Sequence, residues 1–521
     1  MGYSESRGSG KTLQGVNPAG GQVLPGEFYL ATTDDVEQAM ALATRAFAEY
    51  KLLPNEQRAA FLEAIAQEIE ALGDTLIQRA SAETGLPESR IIGERGRTTG
   101  QLRMFADHIR AGHYVEASID TAIPERQPIP KPDLRKMMVP LGPVVVFGSS
   151  NFPLAYSVAG GDTASALAAG CPVLVKAHPG HPGTSALVGQ AIVRAARATG
   201  MPEGVFSLLY DSGFQIGRAL VGHPAARAVG FTGSLAGGRA LFDLAAQREV
   251  PIPVFAEMGS INPSILLPQT LAQRADEIAR IYAGSITLGV GQFCTNPGLI
   301  LAIKGEAFDN FIAILGEEIR KALPATMLHS GISAAFRQKT RAMAEQLGVT
   351  FVAQAAEEGK EYEGRPMVAK APAQAFISNP RLHEEVFGPF SLLIECADRE
   401  ELAACVAVLK GQLTVTIRGE EDEFGQYRDL IHQLRDKAGR VIFNGVPTGV
   451  EVCPSMTHGG PYPATTDSRF TAVGVHAIKR FLRPVTYQNA PSAILPEALQ
   501  DDNPLHIWRL INGELSRDPI E

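Results

Sequence analysis

PVVVFGSSNFPLAYSVAGGDTASALAAGCPVLVK, residues 143–176, decides the fold. Its two ends, PVVVFG and PVLVK, are short valine-rich runs bounded by glycine and proline. Such runs read as strands buried on both faces of a parallel sheet. Between them lies a helix-length segment of small residues that stops at Gly170. Strand, helix, strand is the unit from which a doubly wound sheet is built.

The same alternation runs on. After PVLVK come a helix over 184–199, VFSLLY (205–210), a short helix, AVGF (228–231), a helix over 235–247 and PVFAEM (253–258). The second half repeats the alternation more loosely. Helices are expected near 270–288, 306–322, 332–346, 398–409 and 424–437, with LILAI, FSLLIE and VIFNG between them. The first quarter is helical. TTDDVEQAMALATRAFAEYK (32–51) has apolar residues at helical spacing and acids in its first turn. Gly73 and Gly85 stand where they would stop the helices that follow. Residues 121–141, rich in proline and charge, and RPVTYQN (483–489) fit neither α/β unit. Paired, they would make a small separate sheet.

The chain has 521 residues, 45% of them hydrophobic and 20% charged, which suits a soluble protein of two to four domains. Its net charge of −9 argues against nucleic acid, which needs a basic face. The five cysteines are odd in number and widely spaced, so a reducing, cytoplasmic setting is expected rather than disulfides or zinc. No apolar stretch approaches the roughly 18–20 residues that span a bilayer, so no membrane is expected. GSGKT (8–12) resembles the end of a phosphate loop. Glu5 stands where the first glycine belongs and no strand precedes it, so a mobile N-terminal tail is expected. GVGQFC (289–294) begins like a dinucleotide fingerprint but ends on cysteine.

Cys294, in GVGQFCTNPG, sits in a polar, glycine-rich loop that enters an apolar strand. A reactive thiolate wants such a place, while the other four cysteines have apolar or helical surroundings. Glu257 ends the strand PVFAE and is followed by Met-Gly-Ser. It reads either as a semi-buried general base or as a capping, salt-bridged glutamate. Asn151 follows the 143–148 strand at its carboxyl end, where ligands bind in open α/β sheets. It reads equally as a turn residue. His178 and His181 lie in a proline-glycine loop without a cysteine or carboxylate partner, so no metal is expected there.

Taken together, strand–NFP, strand–Lys176, GFTGS, AEMG, GQFCTNPG and EEVFGPF resemble the aldehyde dehydrogenase superfamily over nearly the whole chain. The resemblance implies two doubly wound α/β domains plus a small oligomerisation sheet. A dinucleotide-binding domain would span 1–120 and 142–259, and a thiol domain 260–478. An oligomerisation arm would span 121–141 and 479–495, with a C-terminal tail over 496–521. Cys294 would be the nucleophile, Glu257 the general base and Asn151 half of the oxyanion hole, the Cys294 N–H being the other half. Lys176 and Glu385 would bind cofactor ribose hydroxyls, and Phe387 would pack near the nicotinamide. Gly233 and Ser234 would open a helix toward the pyrophosphate. The resemblance also implies a homodimer or homotetramer acting on a small-molecule aldehyde.

There are departures. Ser150 replaces a common tryptophan, and HGGPYPATTDSR (458–469) replaces the usual glycine-lysine-serine-glycine segment. Pro179 stands where many NAD-preferring relatives carry glutamate, so NADP is expected to serve at least as well as NAD. Several stretches are closest to the 2,5-dioxovalerate (α-ketoglutaric semialdehyde) dehydrogenases, and a fatty or general aliphatic aldehyde dehydrogenase is the alternative. A carboxylate substrate needs a cation, and Arg103, on the helix near 87–111, is the candidate. An acylating enzyme or a non-catalytic protein on the same fold would not need Cys294, Glu257 and Asn151 together.

Overall fold

The computed structural model describes residues 1–520. The stretch that opens the fold forms strands Val144–Phe147 and Val173–Lys176, paired parallel. All nine residues of the intervening helix Gly161–Ala169 are buried, which small side chains permit. Strands Phe206–Leu209, Ala228–Thr232 and Val254–Glu257 complete a five-stranded parallel sheet. In space Phe206–Leu209 is outermost, followed by Val173–Lys176, Val144–Phe147, Ala228–Thr232 and Val254–Glu257. The strand order reverses beside Val144–Phe147, and ligand crevices form at the carboxyl ends of strands at such points.

A second sheet has seven strands. Its order is Thr350–Gln354, Met367–Pro372, Phe390–Cys396, Leu299–Ile303, Ser264–Leu266, Gln412–Arg418 and Ala438–Phe443. Every pairing is parallel except the first. The expected helices are present, with 424–437 divided into Glu421–Gln426 and Arg428–Arg435. Helix Thr33–Tyr50 starts on a capping box in which the Thr32 and Asp35 side chains each accept the other's backbone N–H. Gly85, at φ +68°, ends helix Gly73–Thr84. Gly73, at φ +54° and one residue past the C-cap Leu72, likewise ends helix Asn55–Ala71.

The arm and the late strand do pair. Leu134–Pro140 runs antiparallel to Leu482–Gln488 over seven residue pairs. Two expectations need correction. The N-terminus is docked: Gly2 donates to Ser207 Oγ at 3.0 Å, and Thr12–Leu13 pairs with Phe28–Tyr29. Of the tail expected over 496–521, Arg509–Ile511 and Glu514–Ser516 instead extend the small sheet. The link is a two-residue Asn512-Gly513 turn with φ +49° and +91°, a strong hairpin signal. Among the described residues no helix is long and apolar enough to cross a membrane.

Candidate active site

Cys294 lies between the turn Leu288–Gly291 and strand Leu299–Ile303. The backbone before it is unusual. Gly289, Val290 and Gly291 have φ of +55°, +59° and +62°. For a β-branched residue such as Val290 that conformation is strained, and strain of this kind gathers at functional loops. Gly291 is required by close approach, since a Cβ there would lie 2.3 Å from the Gly388 carbonyl. A buried clamp holds the loop. Asn262 Nδ2 donates to the carbonyls of Cys294 at 2.8 Å and Asn296 at 2.9 Å. Its Oδ1 accepts from Ser260 Oγ at 2.9 Å and Thr414 Oγ1 at 3.1 Å.

Glu257 is the last residue of its strand and is buried. The segment carrying HGGPYPATT runs antiparallel beside it: Met258 N–H donates to Ala464 O at 2.8 Å and Thr466 N–H to Ala256 O at 3.1 Å. That crossing brings His458 to the site. His458 Nε2 lies 3.5 Å from Cys294 Sγ and 3.0 Å from Glu257 Oε2. The contact with Glu257 is close, but the ring N–H is not aligned on it, and neither carboxylate oxygen carries an aligned hydrogen bond. Burial pushes the Cys294 thiol well above its ordinary range. The Glu257 carboxylate adds to that push and Arg97 opposes it. A protonated thiol thus faces two groups able to take its proton. The three ligand atoms lie within 4.8 Å of one another, which also suits a soft divalent cation.

Asn151 reaches the same loop, its Nδ2 donating to Gln292 O at 3.2 Å. Behind it, His181 Nε2 lies 2.8 Å from the Ser149 carbonyl and fixes the NFP turn. Glu385 and Phe387 line a narrow cleft that Phe293 and Ser260 also line. Gly259 leaves room for the Glu385 carboxylate, because a Cβ there would be 2.5 Å from its Oε2. Burial pushes the Glu385 carboxyl up to about 7, with Glu257 adding and Lys339 and the Ser260 N–H opposing.

Lys176 ends its strand, and burial lowers its pKa against the more distant pull of Asp211. Gly233 N–H donates to Glu257 O at 3.0 Å. Ser234 caps helix Leu235–Ala246, whose first turn is largely exposed and free of acids. A Cβ on Gly233 would lie 2.6 Å from the Phe231 ring, so the entry to this helix is flat by necessity. This surface fits a bound pyrophosphate.

Phe152, next to Asn151 in sequence, and Phe293, next to Cys294, form an apolar cluster with Tyr156 and Val473, with Val450, Val452 and Met456 against it. The structure does not bring Arg103 there. Arg103 makes a two-pronged pair with Glu70, 2.7 Å on each prong, on an exposed face. Arg90 and Arg97 of the same helix turn inward instead. The Arg90 guanidinium sits 4.4 Å from the Phe152 ring centre and 4.9 Å from that of Phe293. Arg97 donates to Tyr156 Oη at 3.0 Å. Sequence reasoning missed Asn262, His458, Arg90 and Arg97.

A model of the aldehyde dehydrogenase family matches residues 4–482. Alpha-ketoglutaric semialdehyde dehydrogenase 2 of Azospirillum brasilense is 53% identical over 515 residues, covering 99% of this chain and 98% of that protein. Alpha-ketoglutaric semialdehyde dehydrogenase of Acinetobacter baylyi is 48% identical, covering 97% of this chain and 96% of that one. Among solved structures, betaine aldehyde dehydrogenase from Staphylococcus aureus in complex with NAD+ superposes with a TM-score of 0.80. It is 20% identical and covers 94% of each chain.

Proposed function

Because this chain belongs to the aldehyde dehydrogenase family and is an enzyme that oxidises an aldehyde to its acid, we propose that its substrate is 2,5-dioxopentanoate (α-ketoglutarate semialdehyde) and its product 2-oxoglutarate. The observation that carries the chemistry is the close contact of Cys294 Sγ with His458 Nε2, and of His458 with Glu257. The substrate reading rests on two relatives at 53% and 48% identity over nearly their whole lengths.

The Cys294 thiol gives its proton to the His458 imidazole, 3.5 Å away, and the sulfur adds to the aldehyde carbon. The Asn151 amide, now on the Gln292 carbonyl at 3.2 Å, is free to turn to the new alkoxide. With the Cys294 N–H it forms an oxyanion hole, and losing one such donor typically costs about 3–4 kcal/mol. A bound NAD(P) supplies one thing, acceptance of the hydride that leaves the former aldehyde carbon. Lys176, Gly233, Ser234, Glu385 and Phe387 would hold it. Glu257, with no aligned donor on either oxygen, takes a proton from the water that hydrolyses the Cys294 thioester.

NADP serves at least as well as NAD in this reading, because Pro179 places no carboxylate beside Lys176. Residues 1–120 and 142–259 act as the dinucleotide domain and 260–478 as the thiol domain. The small sheet acts as an oligomerisation surface. Its outer strands, Leu482–Gln488 and Glu514–Ser516, each have one unpaired edge, and Leu515 is 72% exposed. A homodimer, or a tetramer of dimers, covers such edges.

The aliphatic part of the apolar cluster, Val450, Val452, Met456 and Val473, favours a second reading, a longer aliphatic aldehyde. Steady-state rates with NAD and NADP against 2,5-dioxopentanoate and straight-chain aldehydes from hexanal upward decide between them. A clear preference for the semialdehyde is expected. A preference for the long aldehydes overturns the substrate assignment.

A further inference from the structure

The apolar cluster that includes Phe152 and Phe293 carries more positive charge than a plain aldehyde needs. Arg90 and Arg97 are seven residues apart on helix Glu88–Ala111, two turns, so they share one face. Arg103 lies six residues beyond Arg97 and faces away, to Glu70. Phe152 follows Asn151, and Phe293 precedes Cys294. The Arg90 guanidinium contacts both rings, so it sits beside the oxyanion donor and the nucleophile at once. The Arg97 guanidinium lies over Phe152 at 5.5 Å and Tyr156 at 5.2 Å.

Among the described residues Arg97 makes no ion pair, and that of Arg90 is loose. The carboxylate nearest to Arg90 is Glu94, whose Oε1 is spent on the N–H groups of Leu154 at 2.9 Å and Ala155 at 3.0 Å. Its Oε2 stands 3.5 Å from Arg90, a loose contact. The Nε atoms of both arginines are buried without a hydrogen-bond partner. Among the described residues, Glu94 is the one carboxylate in ion-pair contact with these two guanidiniums. Aromatic faces offset part of the desolvation of a cation, but they satisfy none of its N–H donors. An anion does both.

We propose that Arg90 and Arg97 form the subsite for the carboxylate at the far end of the substrate. The proposal rests on the reading of this enzyme as a dehydrogenase of a semialdehyde acid. A guanidinium offers paired donors that match the two oxygens of a carboxylate. A five-carbon chain with aldehyde and carboxylate at its ends spans roughly 5 Å when extended. That reach suits a cation packed on the ring next to Cys294. The same arginines block the cluster from continuing as an apolar tube.

The test compares 5-oxopentanoate with pentanal, equal in length and differing only at the far end. Kinetics are measured for the wild type, Arg90→Met, Arg97→Met and Arg97→Lys, each checked by thermal melting. The wild type should favour the acid in kcat/KM by about a hundredfold. Each methionine variant should lower that preference about tenfold or more, mainly through the KM of the acid. The lysine variant should recover part of it. Glutarate should inhibit the wild type competitively against the aldehyde, and more weakly in the methionine variants. If the wild type favours the acid and the folded methionine variants keep that preference within about threefold, the subsite is elsewhere and this proposal falls alone. If the wild type oxidises pentanal as well as the acid, the semialdehyde reading itself fails.

Discussion

Replacing Glu257 by glutamine separates two roles that one carboxylate can hold. The side chain keeps its shape and loses its charge. In the wild type, burial holds the Cys294 thiol above its ordinary range and the Glu257 carboxylate pushes it further the same way. The reactive atoms lie no more than 4.8 Å apart. Two like unit charges at that separation repel by about 3.5 kcal/mol at an effective dielectric of about 20, and by about 0.9 kcal/mol in bulk water. Removing one of them multiplies the thiolate fraction at fixed pH by roughly fourfold to three-hundredfold. If Glu257 serves mainly to activate water, Glu257→Gln should make the thiol more reactive while making the enzyme slower.

Two assays read the two effects. Iodoacetamide should label Cys294 in the variant at least about threefold faster near neutral pH, with the labelling midpoint moved to lower pH. Rapid mixing with aldehyde and cofactor should give a burst of about one equivalent of reduced cofactor, then turnover slowed by about a hundredfold or more. Slower labelling in a folded variant would refute the reasoning, because it would make Glu257 the acceptor of the thiol proton. A missing burst would say the same from the other side.

Asn262→Ala should cost about 2–4 kcal/mol in urea unfolding, because it strands the buried carbonyls of Cys294 and Asn296 and puts alanine at a φ of +46°. A loss below about 1 kcal/mol would mean the loop is held by other contacts. Glu385, pushed up to about 7, is an acid raised by the fold. If it accepts a cofactor hydroxyl, the cofactor KM should rise as pH falls through about 7, and Glu385→Gln should flatten that profile. For the cofactor-free protein the sign is opposite. The stability this group contributes is present below its unfolded value of about 4.3 and is lost as pH rises through about 7, which melting curves across that range will show. Zinc at micromolar concentration should inhibit reversibly with EDTA if the Cys294, Glu257 and His458 atoms, within 4.8 Å of one another, close on the ion. Unchanged inhibition in His458→Asn would assign the effect elsewhere.

The fold was legible where burial imposes a pattern. Valine runs such as Val144–Phe147 and Val173–Lys176 have no other stable place than the middle of a sheet. The pairing of Leu134–Pro140 with Leu482–Gln488 is legible too, because each is an extended run that fits neither α/β unit. What was missed was short or polar. Ser264–Leu266 is a three-residue strand between two others of the large sheet. It gets its strand character from neighbours, which no local pattern reveals. The C-terminal hairpin carries a local signal of its own, the Asn512-Gly513 turn between its two short strands.

In the site, the residues that the sequence offered are those held at strand or loop ends by their own neighbours: Glu257, Cys294 and Asn151. Arg90 and Arg97 were missed for Arg103 because helical phase, not presence on the helix, decides which arginine faces inward. His458 is the harder case. It lies 201 residues after Glu257 in sequence, so no spacing rule joins them. Its segment departs from the common family pattern and reads only as a loss. One signal was available. His458 is followed by Gly459 and Gly460, and a Cβ on Gly460 would lie 2.1 Å from the Gln412 carbonyl. Glycines packed so closely against backbone fix the chain beside them, and a fixed histidine is a different object from one in a solvated loop. Glu257 therefore comes from one sheet, while His458 comes from a segment that bonds to that same strand through Ala464 and Thr466 and also packs on Gln412 of the other sheet.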